Sequence, residues 1–454
     1  MWPAMLRSEL RTVETVRPAT LVAGELCVPG DKSIAHRALM LSSIADGEST
    51  VRGLPDGDDV RATMACLRAV GVRIAPVPMP SQPSQKGGQG RGFTVTPPIG
   101  AGPGRGFSTP HGTLDCVNSG TTMRLLLGLL AGSRIAAMLD GDASLRRRPM
   151  ARVIEPLRAM GARVQSSDGY APLSLVGTRL QGRYHALPVA SAQVKSAILL
   201  AGLSASGPTT VVESFRTRDH TERLLRIMGA DLRANGMAVE LRPSHRPLAP
   251  LQLTVPGDFS SAAFWMAAAA MRPDWSITIR GVGLNPSRIA FAHLLEAMGA
   301  EIQMDVSAET GEPLGSLRVV GQSLRAVHLG PREAAEAIDE IPALLVVATQ
   351  ATGDTVVEGA GELRLKETDR IAAMVSGLRR MGATIDERRD GLTVHGPTTL
   401  QGAAVESQGD HRMAMALAIA GLVAAGETTI GDADCVAVSY PEFFQHLQAV
   451  TDAR

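Results

Sequence analysis

Six stretches of this chain carry small apolar residues on nearly every helical face. They are SIAHRALMLSSIADG from Ser33, TTMRLLLGLLAG from Thr121, SAQVKSAILLAGLSASG from Ser191, SSAAFWMAAAAM from Ser260, DEIPALLVVATQATG from Asp339 and DHRMAMALAIAGLVAAG from Asp410. A helix that is apolar all round belongs in a protein interior. Each stretch opens on Ser, Thr or Asp, whose side-chain oxygens cap helix N-termini, so the pattern predicts six buried helices with those residues as caps. A second series ends on glycine: CLRAVGVRI, PLRAMGARV, LLRIMGADL, LLEAMGAEI and GLRRMGATI, with HLQAVTDAR as a worn sixth copy. Gly71, Gly161, Gly229, Gly299 and Gly382 fit the left-handed position that closes a helix, where a Cβ is penalised. Short alternating runs such as STVRGL, TTVVES, SITIRGV and DTVVEGA follow the buried helices and predict half-exposed strands. Both series stay in phase, at spacings of 68 to 90 residues.

Six copies of a unit of about 76 residues (454/6) therefore make up the chain. The prediction is an α/β architecture of two lobes with three units each. VPGDKSIAHRA at Val28 recurs as VPGDFSSAAF at Val255, which is 227 residues later and half of 454. Pro-Gly pairs suit hinge turns, so the chain is expected to cross between lobes at both places. Residues 1–28 and 255–454 then form one lobe, and 29–254 the other. A Gly- and Pro-rich segment at 76–112 breaks the repeat and reads as a mobile surface insertion, with Lys86, Arg91 and Arg105 solvated.

Composition narrows the function. The chain is 44% hydrophobic and 20% charged, with a formal net charge of zero, so no global field draws it to nucleic acid or anionic membrane. Aromatic residues make up 3%, too few for base stacking. The four cysteines form no CxxC pair, which speaks against structural zinc and fits a reducing compartment. The N-terminal MWPAMLRSELRTVETVRP has no apolar core of a secretory signal, and no apolar run reaches the roughly 18 to 20 residues of a membrane span. The expected location is the cytoplasm, without membrane or nucleic-acid partners.

Any anion must therefore be held by local groups, and these gather at helix starts, where free N–H groups and the helix dipole favour negative charge. GDKSIAHR places Lys32 and Ser33 in a first turn, with Arg37 one turn on. Asp31 separates Gly30 from Lys32, so this is no nucleotide-binding Walker loop. The copy at Val255 lacks both cations, which marks Lys32 and Arg37 as additions to the scaffold; Ser33, kept as Ser260, reads as the cap. NSGTTMR offers Gly120 for close backbone approach. SLRRRPM offers three arginines before Pro149. SAQVKSA and RTRDHTE add Ser191, Gln193, Lys195 and Arg218. RLKETDR puts Lys366, Glu367 and Arg370 within one turn, with Lys366 and Arg370 on one face. AIDEIP brings Asp339 and Glu340, and GDHRMAM brings Asp410, His411 and Arg412. Unit four, with VPGDFSSAA and NPSR, reads as nearly bare. If these starts converge, a strongly cationic cleft lies inside a neutral protein, suited to a small polyanion with several phosphate or carboxylate groups.

In order along the chain, PGDKSIAHR, NSGTTMR, GDASLRRRPM, SAQVKSA, TRDHTE, LRLKETDR, GDHRMAM and SYPEFF resemble the motifs of the 5-enolpyruvylshikimate-3-phosphate synthases, a family of enolpyruvyl transferases. The resemblance implies two lobes of three βαβαββ units closing over an interlobe active site. It also implies transfer of the enolpyruvyl group of phosphoenolpyruvate to the 5-hydroxyl of shikimate 3-phosphate with release of phosphate, by a monomer needing neither metal nor organic cofactor. Carried over by motif, Lys32, Ser33, Arg37, Ser191, Gln193, Arg218, Asp339 and Lys366 bind shikimate 3-phosphate. Lys32, Gly120, Arg148, Gln193, Arg370 and Arg412 bind phosphoenolpyruvate. Asp339 is the implied base for the hydroxyl, and Lys366 and Glu367 carry the C3 proton; which is acid and which base stays open. Some relatives reach phosphoenolpyruvate with a lysine near a C-terminal DxxCxxxxP segment, where this chain has Asp434 before Cys435. Some glyphosate-tolerant relatives carry Ala at the Gly120 position, and Gly120 is retained here, so ordinary glyphosate access is expected. The alternatives are the related UDP-N-acetylglucosamine enolpyruvyl transferase, whose loop cysteine GDASLRRRPM lacks, and a non-catalytic polyanion-binding homologue.

Overall fold

The computed structural model describes residues 12–77, 91–243 and 246–451. All six apolar stretches are helices: Lys32–Ser42, Gly120–Ala131, Ala192–Gly202, Phe259–Ala270, Ile341–Ala348 and His411–Gly421. Every residue of the last three is buried. Small residues let these helices approach closely. A Cβ on Gly128 would lie 2.2 Å from the Ala197 carbonyl oxygen, so helix 120–131 can cross helix 192–202 there only with glycine. The five glycines of the second series adopt φ of +98°, +102°, +84°, +111° and +93° at residues 71, 161, 229, 299 and 382, as the helix-closing role requires.

The caps differ from expectation at four of the six starts. Asp31, not Ser33, accepts from Ile34 N–H, and Asp258, not Ser260, accepts from Ser260 N–H. Ser119 caps in place of Thr121, accepting from Thr122 N–H. The helix beginning at Ile341 has Glu340 at its cap position with no side-chain bond. A carboxylate complements the positive helix end better than a hydroxyl, so the aspartates of the two VPGD turns take the cap. Ser33 and Asp339 are thereby left free for other contacts.

Six small sheets accompany the helices, five of four strands and one of three. The four-stranded sheets share one pattern, a parallel pair extended by an antiparallel hairpin. For example, Tyr184–Ala186 runs parallel to Thr209–Val212, which pairs antiparallel with Ala238–Arg242 and then Asp231–Asn235. In the three-stranded sheet Val13–Val16 lies antiparallel to Thr428–Gly431, beside Ala404–Glu406. The first strands of two sheets come from across the half-chain turns. Ala23–Cys27 pairs with Ser276–Gly283, and Gln252–Thr254 pairs with Ser49–Leu54.

Two separate hydrophobic cores result. One gathers residues between Ile34 and Val255; the other gathers Val16 to Val28 with Phe259 to Val450. The two VPGD turns bond to each other reciprocally: Asp31 N–H donates to the Pro256 carbonyl at 2.7 Å and Asp258 N–H to the Pro29 carbonyl at 2.8 Å. Within the 76–112 segment, residues 78–90 with Lys86 lie outside the described residues. The remainder is not a surface appendage. Arg91–Thr96 is a strand between Ser49–Leu54 and Arg73–Val77, and Phe93, Val95 and Phe107 join the core. Their apolar side chains are sparse among Gly and Pro, which hid them from a periodicity argument.

Candidate active site

The helix starts converge on one cavity of about 330 Å³ between the two cores. Twelve of the thirteen residues expected at the site line it: Lys32, Ser33, Gly120, Arg148, Ser191, Gln193, Arg218, Asp339, Lys366, Glu367, Arg370 and Arg412. Ten cations and six carboxylates line it in all, an excess of four positive charges in a chain of net charge zero. The thirteenth, Arg37, stands behind the wall. Its guanidinium is consumed by Ser33 carbonyl, Thr221 Oγ1 and Ser196 Oγ, each at 2.8 Å.

One lobe contributes the Lys32, Gly120, Ser191 and Arg218 regions. Lys32 is the first residue of its helix and holds Asp59 at 3.1 Å. Arg148 reaches in, bonding Asn118 Oδ1 and Ser144 Oγ, and faces Glu367 at 3.4 Å. Arg146 and Arg147 are exposed, and Arg146 pairs with Asp140. The following helix begins at Ala151, so Pro149 precedes it and is not its first residue. Gln193 donates to Thr121 Oγ1 at 2.9 Å. Lys195 turns inward instead, 2% exposed, and pairs with Glu213 and Glu222 at 2.7 Å each. His36 is buried beside Thr63 and pushed down to about 4, first by burial, so it is a neutral core group.

The other lobe contributes a carboxylate–cation lattice. Asp339 bonds Arg218 across the cleft and lies 3.3 Å from Lys366 and 3.4 Å from Arg370. Arg370, 2% exposed, also bonds Asp410 at 2.8 Å and Glu367 at 2.6 Å. Arg412 donates to the Asp339 carbonyl at 3.0 Å. Burial alone raises the pKa of Asp339, but Lys366, Arg218, Arg412 and Arg370 hold it well below the usual carboxylate range. Glu367 is likewise buried, and Arg370 and Arg148 hold it well below that range. Lys366 moves the other way: burial lowers it, and Asp339 only partly restores it against Arg370. His411 is held well below its ordinary value by burial and by Lys32 and Arg412, so it is neutral.

A pH profile follows. With Asp339 and Glu367 already ionised, kcat/KM of the free protein should show no carboxylate limb between pH 5 and 8, once substrate ionisation is corrected for. An alkaline limb should begin below the ordinary lysine value of 10.5 as Lys366 loses its proton. Lys366→Arg should shift that limb upward; an unmoved limb contradicts the assignment. The two depressed carboxyls stabilise the fold above about pH 4, and that contribution disappears as pH falls through their lower folded values.

Among the lining residues not singled out from sequence are Arg124, Arg152, Arg288 and Glu362. Arg124 stands four residues after Gly120, one helical turn on, and donates to Gln193 Oε1 at 2.6 Å. Burial, then Arg152 and Arg148, push it down to about 9. The Gly120–Arg124 spacing within NSGTTMR was the available signal. Arg152 and Glu362 pair across the cleft at 2.6 Å, and no sequence signal links them. Arg288 closes the hinge end. The turn Ala433–Val438, with Asp434, does not line the cavity, and no lysine from it enters. Among the described residues no cluster of His, Cys, Asp and Glu is arranged to hold a metal, and no helix is long and apolar enough to cross a membrane.

Six repeated α/β units meeting at a cationic interlobe cleft define a two-lobed α/β protein whose cavity suits small polyanions. The EPSP synthase (3-phosphoshikimate 1-carboxyvinyltransferase) family model matches residues 16–447. The 3-phosphoshikimate 1-carboxyvinyltransferase of Gloeobacter violaceus is 48% identical over 440 residues, covering 96% of this chain and 98% of the relative. That of Herpetosiphon aurantiacus is 47% identical, covering 97% and 100%. The EPSP synthase structure from Acinetobacter baumannii superposes with a TM-score of 0.82 at 38% identity, covering 97% of this chain and 98% of that one. The chain belongs to the EPSP synthase family.

Proposed function

We propose that this protein transfers the enolpyruvyl group of phosphoenolpyruvate to the 5-hydroxyl of shikimate 3-phosphate, releasing inorganic phosphate in the shikimate route to chorismate and the aromatic amino acids. The observation that carries the reading is the meeting of twelve motif residues around one cationic cavity split between two lobes. Lys32, Ser33, Ser191, Gln193, Arg218, Asp339 and Lys366 hold shikimate 3-phosphate, with Arg37 bracing Ser33 and Ser196 from behind. Gly120, Arg148, Arg370 and Arg412 hold phosphoenolpyruvate, joined by Lys32 and Gln193. The 5-hydroxyl oxygen adds to C2 while C3 takes a proton; loss of phosphate from C2 and of a proton from C3 then restores the double bond. A base must begin unprotonated, and Asp339 does. When the substrate phosphate engages Arg218, that cation's hold on Asp339 weakens and its basicity rises. In this reading Lys366, with its loosened proton, serves as the acid for C3, and Glu367 keeps Arg370 and Arg148 oriented. Fixed cations matched to the phosphate and carboxylate groups supply most of the rate.

The rival sugar-nucleotide transferase needs a thiol in the 141–150 loop. That loop has none, and Cys116 is fully buried away from the cavity. A phosphate-release assay with phosphoenolpyruvate and each acceptor tests the reading: release with shikimate 3-phosphate and none with UDP-N-acetylglucosamine is expected, and the reverse overturns it. The lobes are assigned as 1–28 with 255–454, and 29–254, in a cytoplasmic monomer.

Gly120 sets the room for phosphoenolpyruvate and for glyphosate. A Cβ there would lie 2.7 Å from Arg124 Nη1 and 3.5 Å from Arg148 Nη1. Gly120→Ala should therefore displace Arg124 and raise the KM for phosphoenolpyruvate about tenfold or more, and glyphosate inhibition should weaken with it. Unchanged values for both in steady-state assays would remove Gly120 from the contact set.

A further inference from the structure

Unit four was expected to be nearly bare, yet its NPSR turn places Arg288 beside two buried carboxylates, Asp258 and Glu340. Arg288 is 3% exposed. Its Nη2 donates to Ser260 Oγ at 2.6 Å and Glu340 Oε1 at 3.2 Å, and lies 3.7 Å from Asp258 Oδ1. Ser260 Oγ also bonds Glu340 Oε1. Asp258 and Asp31 are the helix caps of the two half-chain turns, and Arg288 counters the burial of both; burial nonetheless pushes Asp258 up to about 6. One buried cation thus ties the hinge to Glu340. Glu340 directly follows Asp339 and begins the helix Ile341–Ala348. The Asp339 carbonyl is held from the other side by Arg412. Glu340 makes no helix cap bond, so its side chain serves this grip instead.

We propose that Arg288 is a positioning residue for Asp339: by gripping Ser260 and Glu340 it sets the segment that presents the Asp339 carboxylate to the acceptor hydroxyl. The inference rests on the role given above to Asp339. It also assigns a use to Ser260, the repeat partner of Ser33, which has exchanged a substrate contact for a scaffold one.

The test uses the full chain and steady-state kinetics with both substrates. Arg288→Met with Glu340→Gln removes both charges of the closest buried pair together, while Asp258, 3.7 Å from Arg288, keeps its bond from Ser260 N–H and Arg412 as a cation. The expected result is a Tm close to that of the parent, kcat lower by about 10- to 100-fold, a raised KM for shikimate 3-phosphate and an unchanged KM for phosphoenolpyruvate. A structural role alone would lower the active fraction without that split. Added to Asp339→Asn, the pair should cause little further loss, because residues acting as a unit are non-additive. A kcat within twofold of the parent, or full additivity with Asp339→Asn, overturns the proposal. If the double variant does not fold, Arg288→Lys keeps the charge but ends one bond short of the Nη2 position that serves both acceptors; the same KM split is expected, and parental kinetics overturn it. Asp339→Asn separates the two levels: if it retains parental kcat, the base assignment falls and the positioning role with it. An inactive Asp339→Asn beside a fully active Arg288→Met/Glu340→Gln overturns the positioning role alone.

Discussion

Arg370→Ala should lower kcat/KM by about 10³-fold or more and should also lower Tm by about 10 °C. Both effects have one cause. Arg370 is 2% exposed and is the shared partner of Asp339, Glu367 and Asp410. Removing it leaves three carboxylates around a buried void. Breaking such a pair costs about 3–5 kcal/mol, because the charge left behind is uncompensated. In a lobe of this size that is several degrees for each kcal/mol or two. Reading the sequence alone, one expects only an activity defect from a cleft arginine; burial within the lattice adds the stability defect. Purified variant with parental Tm and turnover would show that the lattice neither binds phosphoenolpyruvate nor supports the lobe.

Lys32→Ala should be as inactive and much less unstable. Lys32 is the only cation placed by the motifs against both substrates, and loss of one such preorganised group costs about 10²–10³ in kcat. Its ammonium has one carboxylate neighbour, Asp59, at 3.1 Å, and both side chains keep access to solvent, at 19% and 12% exposure. Water can therefore take over Asp59 when Lys32 is gone, and Tm should move by only a few degrees. Thermal melts and kinetics on the two variants side by side check the contrast. A Lys32→Ala protein that turns over normally contradicts its place in the cleft.

The repeat was legible because it is written in periodicity, the strongest local signal a chain carries. Buried helices advertise themselves by apolar residues on all faces, and helix ends by glycines that the structure places at positive φ. The candidate cavity was legible where a cation at a helix start turned into the cleft, but not where one turned away, as Lys195 does toward Glu213 and Glu222. Three features escaped. Caps were misplaced because Ser33 and Asp31 both suit the position, and only the path of the VPGD turn decides between them. The strand Arg91–Thr96 was missed because its two core side chains, Phe93 and Val95, are too few to show alternation amid Gly and Pro. Arg288 was missed because its partners Ser260 and Glu340 are 28 and 52 residues away. A lone arginine in a loop reads as solvated until the fold brings its carboxylates to it.

The pairing of the first strands has a consequence for how the chain is made. Val13 faces Gly431 and Gly24 faces Ile277, so both of these strands are synthesised well before the strands they pair with. Everything needed for the core between Ile34 and Val255 lies within one unbroken run, and that lobe can close while synthesis continues. The opposite lobe must recapture an N-terminal segment tethered to a finished neighbour. Such long-range closure is slow relative to local folding. Refolding of the full chain should therefore show a fast phase from the continuous lobe and a slow one in which the first strands are taken up, and the cavity between them forms only in the second.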